Sequence, residues 1–199
     1  MPFSIETLVL LICWGMFFLT WGLGWVYNLI KAPPSQSRTG PSIDYFSMIG
    51  LASIFLLNRF VHVFSVDFSI HLPLWLEWVG GVLLVTATGL ALWSRFALGI
   101  MWSARPESKV GHELRTDGPY RVSRHPIYTG IIGMLMGSVL VSAGNGLAMI
   151  IALVVIVRLI AKIPVEEKLM IETFGEQYLA YQQQVPQLIP GLHWFRKTK

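Results

Sequence analysis

Twenty-three consecutive residues, Leu8 to Ile30, carry no Asp, Glu, Lys or Arg, and that run limits what the chain can fold into more than any other feature. A helix that crosses the hydrocarbon core of a bilayer needs roughly 20 mostly apolar residues. Two further mostly apolar runs of similar length follow, Tyr45 to Val66 with Arg59 inside it and Leu74 to Phe96 with Glu77 and Arg95 near its ends. A longer apolar stretch from Ile127 to Ile163 is interrupted by Ser142-Ala143-Gly144-Asn145-Gly146, a tight-turn composition, and so predicts two shorter helices joined as a hairpin. The expected fold is an all-α integral membrane protein with about five transmembrane helices. A content of 54% hydrophobic and 13% charged residues agrees with that class. Residues 1–97 are expected to form a three-span N-terminal region, and residues 98–199 a second region made of a polar loop, the two-span hairpin and a C-terminal amphipathic helix.

Charge orients the chain. Cytosolic loops are enriched in Lys and Arg, and here Lys31 and Arg38 follow the first span, while Arg95, Arg105, Lys109, Arg115, Arg121 and Arg124 follow the third. Lys162, Lys168, Arg196, Lys197 and Lys199 follow the fifth. The other side holds Glu6, Asp67 and the Ser142–Gly146 turn. This places the N-terminus outside and the C-terminus, with the loop after the third span, in the cytosol. Glu6 is the sole charge among the first nine residues, unlike the basic start of a signal peptide, so the first helix is expected to be retained. Within the second span, Arg59 lies beside His62 near the outer end, where a long side chain can snorkel to the interface. Cys13 is the single cysteine, which excludes a disulfide framework and a thiolate metal site. The five histidines show no paired spacing with carboxylates or thiols, and no metal is expected. The net charge of +4 follows from topology, and with no basic helix apart from the spans, nucleic acid is not an expected partner.

Polar chemistry concentrates in two cytosolic regions. The first is the Gly99–His125 loop, ending in Gly118-Pro119-Tyr120-Arg121-Val122-Ser123-Arg124-His125-Pro126-Ile127-Tyr128-Thr129-Gly130. Pro126 suits the first turn of a helix, whose positive end and free amides can face an anion. Tyr120 and Tyr128 offer flat faces and hydroxyls, and His125 a tunable donor or acceptor. Arginines on lipid phosphates and an interfacial tyrosine belt account for the same residues taken singly. In the second region, steps of four put Arg158, Lys162 and Glu166 on one helical face if Pro164 is absorbed as a kink. Beyond it, Met170, Phe174, Tyr178 and Tyr181 recur at spacings of three and four, which predicts an amphipathic C-terminal helix against the membrane surface or the cytosolic lid, where it and the loop after the third span would form a pocket.

Leu98-Gly99…Trp102-Ser103, His112-Glu113-Leu114, Gly118-Pro119-Tyr120, Arg124 to Gly130, Glu166-Glu167…Phe174-Gly175…Tyr178…Tyr181 and Val185-Pro186…Ile189-Pro190 occur in the order and at the spacing of one family. The chain resembles the isoprenylcysteine carboxyl methyltransferases, whose wider relatives include phospholipid N-methyltransferases. The resemblance covers roughly Leu98 to Pro190 and implies that residues 98–199 are the catalytic region, with its catalytic face in the cytosol. It implies an S-adenosylmethionine pocket, releasing S-adenosylhomocysteine, formed by His112, Glu113, Leu114, Arg115, Tyr120, His125, Pro126, Ile127, Tyr128 and Glu166. The motif neighbours Arg124 and Glu167 join Lys162 and Arg158 as candidate catalytic residues. Family carboxyl methyltransferases tend to carry an arginine four residues before the cofactor glutamate, where this chain has Lys162, a point charge without the bidentate fork.

The expected partner is a prenylated or otherwise lipid-tailed substrate from the bilayer. A carboxylate is already ionised near neutral pH and needs positioning, by Lys162 or Arg158. An amine would need a base, for which Glu167 is the candidate, and a thiol lies between. A sterol-type reductase using a nicotinamide cofactor and a non-enzymatic membrane scaffold are the rival classes. Small residues at Gly130, Gly133 and Gly137 predict close helix packing.

Overall fold

The computed structural model describes residues 4–38, 72–102, 107–109, 111, 113–142 and 146–189. Helix α1 spans Ile5–Lys31, α2 Leu74–Leu98, α3 Pro126–Val141, α4 Gly146–Phe174 and α5 Glu176–Gln184. Local chemistry sets these limits. The Ser4 side chain accepts the Thr7 N–H at the start of α1, the usual N-cap role of serine. Pro126 opens α3, where its missing N–H leaves nothing unpaired. Gly99 closes α2 at φ +52°, and Gly175 separates α4 from α5 at φ +54°, backbone conformations in which glycine meets no Cβ penalty.

Helices α1, α2 and α4 are each long and apolar enough to cross a membrane, and α3 is a shorter apolar helix. The chain is a multi-pass membrane protein. The predicted break at Ser142 separates α3 from α4 as expected. The expected Tyr45–Val66 span, with Arg59 and His62, lies outside the described residues. Leu8, Leu19 and Leu23 of α1, Trp78 and Val82 of α2 and Leu153 and Val157 of α4 face outward, an apolar belt suited to lipid rather than water.

The core is made by Trp14, Phe17 and Trp21 of α1, Leu84, Ala87 and Ala91 of α2, and Ile131, Met134 and Leu135 of α3. Phe17 stacks on Trp21 with ring centroids 4.0 Å apart, and Trp14 Nε1 donates to Ser138 Oγ at 3.0 Å. The tightest contact is between α2 and α3. A Cβ on Gly130 would lie 2.8 Å from Ala91 Cβ, one on Gly133 2.7 Å from Ala87 Cβ, and one on Gly137 2.7 Å from the Leu84 nitrogen and 2.8 Å from the Gly80 oxygen. The packing role expected for these three glycines is therefore observed. At Gly137 the opposing atoms are backbone, so no rotamer change relieves a clash. Gly137→Ala is expected to lower stability by about 1–3 kcal/mol, read as a drop in melting temperature of the detergent-solubilised chain.

One departure from an all-α fold is a short antiparallel ribbon. Strand β1, Ser35–Arg38, pairs with β2, Glu107–Lys109, in the register Ser35↔Lys109, Ser37↔Ser108 and Arg38↔Glu107. The segments are three and four residues long and polar, too short for an alternating pattern to mark them. They are brought together because α1 and α2 end side by side, where Asn28 Nδ2 donates to the Trp102 carbonyl at 2.8 Å.

Candidate active site

Most of the predicted site residues converge where the loop before α3 meets α4 and α5. A 3-10 turn at Gly118–Arg121 sets Tyr120 into the protein. The loop is then laced to the extended segment after α5. Arg124 N–H donates to the Pro186 carbonyl at 2.9 Å and His125 N–H to that of Gln187 at 3.1 Å. Ser123 Oγ donates to the Gln187 carbonyl at 3.1 Å and Thr129 Oγ1 to that of Leu188 at 2.9 Å. Buried backbone groups need partners, and here each strand of the loop supplies the other's.

Seven side chains form a single network. Arg124 Nε and a second guanidinium nitrogen donate to Glu167 Oε1, each at 2.8 Å. Its remaining terminal nitrogen donates to the carbonyls of Gln182 at 3.1 Å and Val185 at 2.6 Å. Gln182 Nε2 donates to Glu167 Oε2 at 3.0 Å. His125 lies between two carboxylates, with Nε2 3.3 Å from Glu167 Oε1 and Nδ1 3.6 Å from Glu166 Oε2. Its ring stacks on Tyr128 at an interplanar angle of 10°. Glu166 Oε1 accepts from the Tyr128 hydroxyl at 2.5 Å and pairs with Lys162 Nζ at 3.2 Å.

Burial by itself pulls the His125 pKa down, but its contacts with Glu166 and Glu167 outweigh burial and hold it above its ordinary value of 6.5. A histidine pKa raised on folding adds stability that is complete below the unfolded value and is lost as pH rises through the folded one. The difference in melting temperature between the wild type and His125→Asn is therefore expected to be largest near about pH 6 and to shrink at higher pH. A difference that grows with pH would contradict a protonated His125. Burial also pushes the Tyr120, Tyr178 and Tyr181 hydroxyls far above the usual phenol range, so they serve as donors. Tyr181 donates to the Tyr120 carbonyl at 2.5 Å.

The network walls a cavity of about 190 Å³. Glu113, Leu114, Arg115, Tyr120, Arg124, His125, Pro126, Ile127, Tyr128 and Glu166 all line it, whereas His112 lies outside the described residues. Lys162 reaches the site through its pair with Glu166, and Glu167 stands behind Arg124 and His125. Arg158 is exposed on α4, two turns before Glu166, and does not line the cavity.

Further lining residues were not assigned to the cofactor pocket one by one, though most stand in the motifs: Leu98, Met101 and Trp102 at and after the end of α2, and Met170, Phe174, Tyr178 and Tyr181. The stripe from Met170 to Tyr181 predicts a helix on the membrane surface or against the cytosolic lid, and in the structure it covers the cavity: α4 runs on through Pro164 to Phe174, Gly175 turns the chain, and Tyr178 and Tyr181 are 3% and 7% exposed. The apolar face closes over protein, packing with Leu114 and Val185. An amphipathic period reports that one face is buried, not against what.

Residues 75–177 match the family model for phospholipid methyltransferases, just over half of the 199-residue chain. The chain belongs to the phospholipid methyltransferase family. Within it, the chain is 32% identical over 121 residues to a methanethiol S-methyltransferase of Pseudomonas deceptionensis, an alignment covering 59% of this chain and 44% of that protein. It is 38% identical over 80 residues to protein-S-isoprenylcysteine O-methyltransferase B of Arabidopsis thaliana, covering 40% of each. A solved eukaryotic intramembrane Ras methyltransferase, isoprenylcysteine carboxyl methyltransferase, superimposes with a TM-score of 0.58 at 25% identity, over 79% of this chain and 56% of that one. The chain thus spans under half the length of these two curated relatives, while the family match takes in α2, α3, α4 and the start of α5.

Proposed function

We propose that this chain transfers a methyl group from S-adenosylmethionine to a nucleophile on a lipophilic, membrane-embedded acceptor, with the carboxylate of a prenylated cysteine as the leading acceptor. The observation that carries this reading is Glu166: a largely buried carboxylate, fixed by Lys162, Tyr128 and His125, on the wall of a cavity lined mostly by apolar and aromatic side chains. Pockets for small organic ligands have this make-up, mostly apolar with a few placed polar groups. The donor set fits a cationic, ring-bearing methyl donor. Glu166 offers negative charge, Tyr120, Phe174 and Tyr178 offer aromatic faces, and Leu114, Ile127 and Met170 offer apolar contact for the heterocycle. Glu113, Arg115 and Pro126 border the same space, and His112 is assigned with them. The relatives with methyltransferase names support the donor class.

When bound, S-adenosylmethionine supplies an electrophilic methyl group on its sulfonium. The chain's own part is positioning and exclusion of water. Arg124 holds the loop, α4 and the segment after α5 together, and Glu167 holds Arg124 and His125. Glu167 and His125 are poorly placed to act as bases, because both Glu167 oxygens are engaged and His125 lies between two carboxylates that favour its protonated form. This favours an acceptor that arrives unprotonated, a carboxylate or a thiolate, over an ammonium. Lys162 and Arg158 lie on the α4 face leading to Glu166 and orient the approaching anion. The distribution of Lys and Arg supports an outside N-terminus with the catalytic face and C-terminus in the cytosol.

The test is methyl transfer from labelled S-adenosylmethionine by the nanodisc-embedded chain to N-acetyl-S-farnesylcysteine, a long-chain thiol and phosphatidylethanolamine, assayed separately. Labelling of the carboxylate or the thiol and not the amine is expected. Labelling of the amine alone would overturn the acceptor assignment, and labelling of none would overturn the reaction.

A further inference from the structure

Arg95 lies in the last turn of α2 and is 4% exposed. Its guanidinium is pressed between two elements. On one side Cζ stands 4.4 Å from the centre of the Trp102 ring. On the other lies Gly24 of α1, where a Cβ would come within 2.4 Å of Nη2. One terminal nitrogen donates to the Gly99 carbonyl at 2.9 Å, while Nε is buried with no hydrogen-bond partner. Among the described residues no carboxylate pairs with this charge. Asn28, one turn beyond Gly24, holds the Trp102 carbonyl, yet its own Oδ1 is buried without a partner.

A guanidinium has five donors, and leaving a buried charge uncompensated is strongly unfavourable. A charge retained inside a membrane protein on such terms marks function by default. What it adjoins is the cavity. Trp102 lines it, as do Leu98, one turn after Arg95, and Tyr120, whose hydroxyl donates to the Ser94 carbonyl at 3.5 Å. Trp102 is fixed from three directions, by Arg95 on its face, by Asn28 at its carbonyl and by Trp21 edge-on at 6.2 Å. With a cation on one face, the indole is a poor seat for a second cation, which leaves the sulfonium to the Glu166 end.

We propose that Arg95 is a specificity-determining residue: a sealed cation behind Trp102, paired with no carboxylate among the described residues, that makes this wall of the cavity favour an anionic group on the membrane-borne acceptor over its neutral counterpart. The inference rests on the methyl-transfer reading for the identity of the acceptor, but not for the sign of its charge. Because the guanidinium is shielded from solvent, its effect is weakly screened by salt, unlike that of the exposed Arg158.

The experiment uses the full chain in nanodiscs and three probes: N-acetyl-S-farnesylcysteine, its carboxamide, and S-adenosylhomocysteine. The wild type is expected to bind the acid at least about tenfold more tightly than the amide, a preference of the size a nearby, partly desolvated charge supplies. Arg95→Gln should bring the two within about twofold by weakening the acid alone, with S-adenosylhomocysteine affinity retained. Arg95→Lys should keep part of the preference. Equal affinity of acid and amide in the wild type overturns the proposal, as does an equal loss of both in Arg95→Gln. If Arg95→Gln does not fold, the wild-type ratio and Arg95→Lys decide, since loss of the preference with the charge retained also overturns it. Failure of S-adenosylhomocysteine to bind the wild type, with the acid still preferred, would instead remove the methyl-donor reading and leave the role of Arg95 standing.

Discussion

Replacing Arg124 by alanine is expected to destabilise the folded chain by about 3–5 kcal/mol, the usual consequence of removing one partner from a buried ion pair. Two of its nitrogens bind Glu167 Oε1, and the third binds the carbonyls of Gln182 and Val185. Removal strands a largely buried carboxylate and two carbonyls together. The Arg124 side chain is 11% exposed and that of Glu167 13%, so water offers limited compensation. Limited proteolysis should show early cleavage after α5 in Arg124→Ala, because that segment is held to the loop by the same guanidinium and by hydrogen bonds to residues 123–129. Arg124→Lys should recover only part of the loss, since a lysine ammonium cannot span Glu167 and the Val185 carbonyl as a planar fork does. An unchanged melting temperature in Arg124→Ala would show that the network does not hold these elements.

Glu166→Gln is the second large effect, on ligand affinity more than on folding. The substitution keeps the shape and removes the charge that faces Lys162 and His125. Hydrogen bonds to charged groups contribute about 1.5–3 kcal/mol, so affinity for S-adenosylhomocysteine is expected to fall about 10- to 100-fold. A loss confined to the acceptor probe, with S-adenosylhomocysteine binding intact, would move Glu166 out of the donor pocket.

Much of this was legible in the sequence because membrane helices must satisfy their backbone internally. Apolar run length therefore located α1, α2 and the α3–α4 hairpin directly. The glycines at 130, 133 and 137 were also legible as contact points, since few roles other than close packing explain three small residues on one apolar helix. The ordered motifs from Leu98 to Pro190 marked the residues that line the cavity. What sequence could not give was direction. The Met170–Tyr181 stripe shows which residues share a face, but only the turn at Gly175 decides that this face meets protein and not lipid. Arg95 was counted among the cytosolic positive charges, and its spacing holds no sign that it folds back between Gly24 and Trp102. The division of labour in the network was equally hidden. Arg124 and Glu167 stood out as motif neighbours, but only the bonds to Gln182, Val185 and Pro186 show them acting as a clamp.

The most direct test of a methyl-donor pocket built on Glu166 and His125 is calorimetric titration of the purified wild-type chain in nanodiscs with S-adenosylhomocysteine, with NADPH titrated in parallel. Saturable binding of one S-adenosylhomocysteine per chain and no heat from NADPH is the predicted result. A folded chain that binds NADPH, or that leaves S-adenosylhomocysteine unbound, would contradict it.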